Sequence, residues 1–132
     1  MSGHRSYQMY AHVVWSTWQR VGCIDSRAAQ DIRKAMTVAA ERTGIHVLRA
    51  AILAEHVHAV LSFRPDSSIS DFLRVTKSGS AFMTNRRIPG QLKWARGAHV
   101  STFHRKDLTR LIGYVAEQES RHPERIPRRG RN

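Results

Sequence analysis

Two apolar stretches, "IHVLRAAIL" over 45–53 and "HVHAVLSF" over 56–63, are joined by Ala54 and Glu55 alone. Parallel strands need a crossover of a dozen residues or more, so a link this short makes the two stretches an antiparallel hairpin. The rest of the chain must be arranged around that hairpin.

Upstream, "YQMYAHVVWSTW" over 7–18 is rich in aromatic and β-branched residues, which suit a pleated, half-buried surface, and reads as a first strand. Between it and the hairpin, "SRAAQDIRKAMTVAAERT" over 26–43 carries Ala29, Ile32, Ala35, Met36, Ala39 and Ala40 at helical spacing, with Ser26 placed to cap it and Gly44 to stop it. Downstream, a Pro and Ser turn leads into a second helix, whose inner positions are Ile69, Phe72, Leu73, Thr76, Ser80 and Met83. Its outer face bears Arg74, Lys77, Arg86 and Arg87. "LKWARGAHVSTF" over 92–103 reads as a strand interrupted by Gly97, and Asp107 is placed to cap a last helix over 108–122.

The order strand, helix, strand, strand, helix, strand, helix is the split βαβ pattern of an α+β, ferredoxin-like fold. It predicts an antiparallel sheet with helices packed on it and an extra C-terminal helix. At 132 residues the chain has room for one core, so residues 1–122 are expected to form a single domain. The final "PERIPRRGRN", 123–132, lacks apolar periodicity and is expected to be a flexible basic tail.

Twenty-two Lys and Arg against ten Asp and Glu leave a net charge of +12. So much uncompensated charge on a small domain points to a polyanion, because neutralising phosphates releases condensed counterions and supplies affinity independent of base sequence. No stretch approaches the roughly 20 apolar residues of a membrane span, and the N-terminus has no signal-peptide pattern; no membrane association and a cytoplasmic location are expected. Cys23 is the single cysteine, which excludes an intrachain disulfide and a Cys-rich zinc site.

Within the strand 56–63 alternate residues share a face, so His56 and His58 project together while Val57, Ala59, Leu61 and Phe63 form the apolar side. Two imidazoles so spaced can converge on one metal ion, although two ligands alone rarely hold one. The plain alternative is two unrelated polar residues at a strand end. On the last helix Tyr114 and Gln118 are neighbours, four residues apart, at the edge of a stripe made by Leu108, Leu111, Ile112 and Val115. An edge tyrosine is commonly a packing residue. His4, His12, His46, His99, His104 and His122 lack partners at ligand spacing and are assigned no chemistry.

"EHVHAVL", followed much later by "YVAEQE", resembles the HUH single-tyrosine (Y1) transposases of the IS200/IS605 type. "HVVWSTWQR", "FLRVTKSGSAFMTNRR" and "WARGAHVSTF" are similar to that family's first strand, lysine-bearing helix and Trp-Gly segment, in the same order. Ala54 and Glu55 stand where the family commonly has Pro-Asp, Ala98 where it has an aromatic, and Trp18 where it has a lysine. The resemblance implies a metal-dependent transposase, an endonuclease and strand transferase that cuts and rejoins single-stranded DNA through a 5′-phosphotyrosine intermediate at element ends. It implies Tyr114 as the nucleophile and His56, His58 and Gln118 as ligands of a divalent ion, Mg2+ or Mn2+. Magnesium prefers oxygen ligands, whereas two imidazoles suit manganese better. The resemblance further implies a homodimer and a DNA hairpin held by the basic helix around Lys77; Arg74, Lys77, Arg86 and Arg87 on that helix, a face that is most often only solvated surface, are candidate DNA contacts beside the +12 charge. The competing reading is a catalytically reduced module of the same fold that binds single-stranded DNA or RNA. A metal-binding structural protein would not explain the charge.

Overall fold

The computed structural model describes residues 8–122 and 126–128. Its elements are β1 (Met9–Ser16), α1 (Ser26–Thr43), β2 (His46–Ile52), β3 (His56–Phe63), α2 (Ile69–Arg87), β4 (His99–Phe103) and α3 (Leu108–Arg121), with short 3-10 turns at Trp18–Arg20 and Arg105–Asp107. The strands form one sheet in the order β2-β3-β1-β4, every neighbouring pair antiparallel. This is the ferredoxin-like α+β architecture with a third helix added, as the order of elements predicts.

One face of the sheet is covered by α1 and α2. Pairing Ala11 with Leu61, Val13 with Ala59 and Trp15 with Val57 puts six apolar side chains on that face. They pack against Ala28, Ile32, Met36 and Ala39 of α1 and Phe72 and Val75 of α2 to form the main core. Asp25, one residue before the expected Ser26, caps α1: its carboxylate accepts from the Ala28 N–H at 2.9 Å. Ser26 instead uses its N–H to donate to the Arg128 carbonyl at 2.9 Å. The other predicted tail positions, 123–125 and 129–132, lie outside the described residues. Gly44 ends α1 at φ 76, the left-handed conformation glycine adopts without a steric penalty.

The inner side of α2 is more polar than its spacing suggests. Phe72, Val75, Thr76, Ser80 and Thr84 are buried, while Met83 is only partly so. Small residues allow the two helices to approach closely: a Cβ on Gly79 would stand 3.5 Å from that of Ala35. At the far end the buried Asp31 of α1 accepts from the Thr84 hydroxyl at 2.9 Å and pairs with Arg87 at 2.8 Å.

The segment expected as an interrupted strand divides at Gly97, where φ is 74. Before it, the Trp18 N–H donates to Lys93 O and the Ala95 N–H to Ser16 O, tying the stretch to the end of β1. After it, β4 forms an exposed edge. The third helix, α3, lies on the opposite face, where its Val115 is buried against Ala51 and Val60, with Phe103, Leu108, Leu111 and Ile112 around them. Asp107 stands at its N-cap position without a side-chain cap bond. The preceding 3-10 turn is capped by His104 instead, and the Asp107 carboxylate lies 3.5 Å from Arg110.

Candidate active site

On β3 every residue is buried, so the side chains facing α3 are enclosed as well as those facing the core. His56 and His58 are 5% and 7% exposed, and their Nε2 atoms face each other at 3.0 Å. Each ring has a partner on its other nitrogen. His56 Nδ1 lies 2.9 Å from the Glu55 carboxylate, and His58 Nδ1 lies 3.0 Å from His12 Nε2. His12 therefore belongs to the site, which corrects the expectation that it has no chemistry. The reason is register: β1 pairs Val14 with His58 and His12 with Val60, which places His12 diagonally beside His58 on the same face.

These groups are strongly coupled. Burial, with the neighbouring imidazoles of His56 and His12 adding to it, pushes the His58 pKa down from 6.5 to about 4. Burial, followed by the charge of His99, also lowers that of His12. His122, at the end of α3, and Arg20 act on His58 in the same direction. His58 is thus a neutral imidazole near neutral pH, the form that can donate a lone pair.

Tyr114 is brought to this pair. With Val115 fixed in the apolar seam, the preceding residue turns toward the histidines, and its ring stands edge-on to His12 at 5.8 Å and to His58 at 6.1 Å. At 40% exposure it remains open to solvent. Gln118, one turn later, is buried, and its amide N–H donates to Tyr114 O at 3.3 Å. That leaves its oxygen as a potential ligand.

The two facing imidazole nitrogens are spaced as ligands of one divalent cation would be. Two nitrogens bound at right angles, each about 2.1 Å from one ion, stand about 3.0 Å apart, the separation found between the facing Nε2 atoms. With their outer nitrogens already hydrogen-bonded, both imidazoles are oriented for this, as metal-binding histidines usually are. Among the described residues no three His, Cys, Asp or Glu side chains form a metal-holding group. The third protein ligand would be the Gln118 amide oxygen, with remaining positions open to water or a phosphate.

Arg20, which the sequence did not single out, lies 3.4 Å from His56 Nδ1. The Glu55 contact is shorter and charge-complementary, so we assign the Nδ1 proton to that bond and regard the guanidinium as a neighbouring cation. Its position depends on an unusual turn: Gln19 and Arg20 have φ of 54 and 53, a region costly for non-glycine residues. The Thr17 hydroxyl, donating to Val21 O at 2.7 Å, braces it. Beside this turn a cavity of about 390 Å³ is lined by Val14, Ser16, Arg20, Arg96 and His99.

The four basic residues predicted on α2 divide into two kinds. Lys77 donates to Ala95 O at 3.1 Å and Gly97 O at 2.6 Å, and burial lowers its pKa. Arg87 serves the buried Asp31. Arg74 and Arg86 are exposed, the first 3.7 Å from Asp71 and the second over the Phe82 ring. All four belong to the helix on the other face of the sheet from the histidine pair.

Residues 5–118 match the profile of the family described as "Transposase IS200 like". The ISDra2 transposase TnpA of Deinococcus radiodurans is 28% identical over 75 residues, 57% of this chain and 54% of that protein. The match thus spans about half the length of that relative. The transposase for insertion sequence element IS200 of Salmonella typhimurium is 24% identical over 123 residues, 87% of this chain and 80% of its own. The solved structure of a REP-associated tyrosine transposase bound to a REP hairpin shares the fold with a TM-score of 0.70 at 15% identity, covering 88% of this chain and 68% of the other. Among the described residues no helix is long and apolar enough to cross a membrane.

Proposed function

Because this chain belongs to the IS200-like transposase family, we propose that it is a metal-dependent enzyme that cuts and rejoins single-stranded DNA at the ends of a mobile element through a covalent tyrosine intermediate. The observation that carries this reading is the placement of the Tyr114 ring edge-on to His58, beside two imidazoles whose Nε2 atoms face each other.

In this reading the Tyr114 phenol oxygen attacks the scissile phosphorus. The phenol O–H bond breaks and gives its proton to water, the new bond joins phosphorus to the tyrosine oxygen, the bond to the 3′-oxygen breaks, and that oxygen takes up a proton from water and leaves as a 3′-hydroxyl. One phosphodiester replaces another, so the energy of the bond is kept for the rejoining step. A divalent cation held by His56, His58 and Gln118 would supply polarisation of the phosphate oxygens. The protein's own part is to orient the two imidazoles, to keep the tyrosine beside them, and to attract the strand's phosphates through Arg20 and Arg96 at the adjoining cavity. Arg74 and Arg86 offer a second basic surface for a DNA hairpin, the ligand named for the REP-associated relative. A homodimer would couple two such sites for the two ends of an element.

The test is to incubate the protein with Mn2+ or Mg2+ and a labelled single strand carrying the element's hairpin and flank. A detergent-resistant covalent adduct is expected with wild type and none with Tyr114→Phe, which keeps the ring and the charges. Tight binding without an adduct under either metal would leave a binding module of the same fold.

A further inference from the structure

We propose that His12 is a positioning residue for the metal centre. Its Nε2 accepts the hydrogen bond of His58 Nδ1–H, which fixes His58 in the tautomer whose Nε2 lone pair faces His56. The inference rests on the metal-dependent reading above and adds to it a residue outside the His56, His58, Gln118 and Tyr114 set.

Geometry carries the assignment. The His12 and His58 planes lie 13° apart with centroids separated by 5.2 Å, while the nearest nitrogens are 3.0 Å apart. A centroid distance exceeding the nitrogen distance by about two ring radii describes imidazoles set end to end, with the lone pair of one along the N–H of the other. Face-to-face stacking would bring the centroids as close as the nitrogens. His58 thus uses both of its nitrogens, Nδ1 toward His12 and Nε2 toward His56.

Only one proton arrangement leaves Nε2 free for a cation. A neutral imidazole carries a single N–H, so a lone pair on Nε2 requires the proton on Nδ1, and an acceptor must then face Nδ1. His12 Nε2 is that acceptor, with its own proton on Nδ1. Glu55 stands in the same relation to His56. In this reading each ligand has an acceptor behind it, a carboxylate for His56 and a neutral imidazole for His58. The neutral partner orients its ligand without adding negative charge, which leaves more of the cation's charge for an anionic phosphate. The sheet supplies the rigidity, because β1 and β3 are adjacent and His12 and His58 lie on the same face.

The test uses the full chain without DNA, measuring Mn2+ affinity by calorimetry for wild type, His12→Ala and His12→Gln, with circular dichroism to verify folding. Loss of such an outer partner lowers metal affinity by about 10- to 100-fold, and that fall is expected for His12→Ala. Glutamine offers an amide oxygen in place of the ring nitrogen, so His12→Gln should recover a large part of it. Long-range 1H–15N correlation spectra of the Mg2+-loaded protein should show His58 as the Nδ1–H tautomer in wild type and a mixture in His12→Ala. Wild-type affinity in His12→Ala, or equal losses in the two folded variants, would overturn the positioning role alone. Absence of Mn2+ binding by wild type would overturn the functional reading and this inference together.

Discussion

The two faces of the sheet are built from the same strands to opposite ends. On the α1/α2 side, Trp15, Val57, Ala59 and Leu61 are sealed under two helices in a continuous apolar core. On the α3 side the apolar contact shrinks to Ala51, Val60 and Val115 with partly buried neighbours, and the remainder is occupied by His12, His56 and His58 under a half-open tyrosine. Burying two imidazoles and half-burying a third forgoes apolar packing and carries a desolvation cost that hydrogen bonds only partly offset. A chain that needed only a stable sheet would not place them there. The difference teaches that stability resides on one face and chemistry on the other, with the two-residue period of β3 serving both.

That separation can be broken from the chemical side. Replacing both His56 and His58 by alanine should abolish metal-dependent cleavage, and Tyr114→Phe should abolish the covalent adduct, while each variant still unfolds in one cooperative transition. Gel assays and urea titrations of the same samples measure both. A double variant that still cleaves at the wild-type rate would mean the pair holds no cation that matters. From the other side, Leu61 lies on the same strand, three residues beyond His58, but faces the core. Leu61→Ala should cost about 2–5 kcal/mol of stability and leave cleavage per folded molecule intact.

Those two sets of residues were legible to different degrees, for a physical reason. Period-two alternation places His56 and His58 together, and helical spacing places Tyr114 beside Gln118, because both relations are local in the chain. His12 is not local to either. Its role appears only once β1 is known to pair with β3 and the register to set His12 opposite Val60. With that pairing guessed, the histidine at an alternate position of β1 would have been the signal. Helical spacing puts Lys77 and Arg87 on an outer, basic face. The first is taken up by carbonyls of a loop some twenty residues later, the second by an aspartate on another helix, and no periodicity announces such partners. Arg20 was hidden in the same way, since its place beside His56 comes from a strained turn.

Acid should expose the cost of the chemical face. His58 has its pKa lowered to about 4 by burial first and by the adjacent imidazoles second. Between about pH 6.5 and 4 the unfolded chain therefore binds a proton that the folded chain refuses, so stability rises with pH across that window and is lost as pH falls through it. For the metal-free protein the loss attributable to this group is roughly 3 to 4 kcal/mol at most, at about 1.4 kcal/mol per unit. Urea unfolding in the presence of a chelator at pH 7, 5.5 and 4.5 would measure it. In His58→Ala the same titration should be flatter, and equal slopes would place the acid sensitivity elsewhere.

The smallest expected effect bears on how the two faces communicate. Gly113 precedes the tyrosine within α3, where glycine costs about 0.5–1 kcal/mol relative to alanine. A packing reason is removed by the structure, since a Cβ built there meets no atom within 4 Å. The conformational reason is also absent, because Gly113 is not among the glycines with positive φ. What remains is looseness in the helix that carries Tyr114, which is seated on the sheet through a small apolar cluster centred on Val115. Gly113→Ala should therefore raise stability by about 0.5–1 kcal/mol and slow adduct formation, because the phenol must move from its edge-on rest against His12 and His58 to reach a phosphate. Thermal unfolding and single-turnover adduct kinetics on the one variant separate the two effects. If the stabilised variant forms the adduct as fast as wild type, Tyr114 attacks from its resting seat, and no movement of α3 across the histidine face is needed.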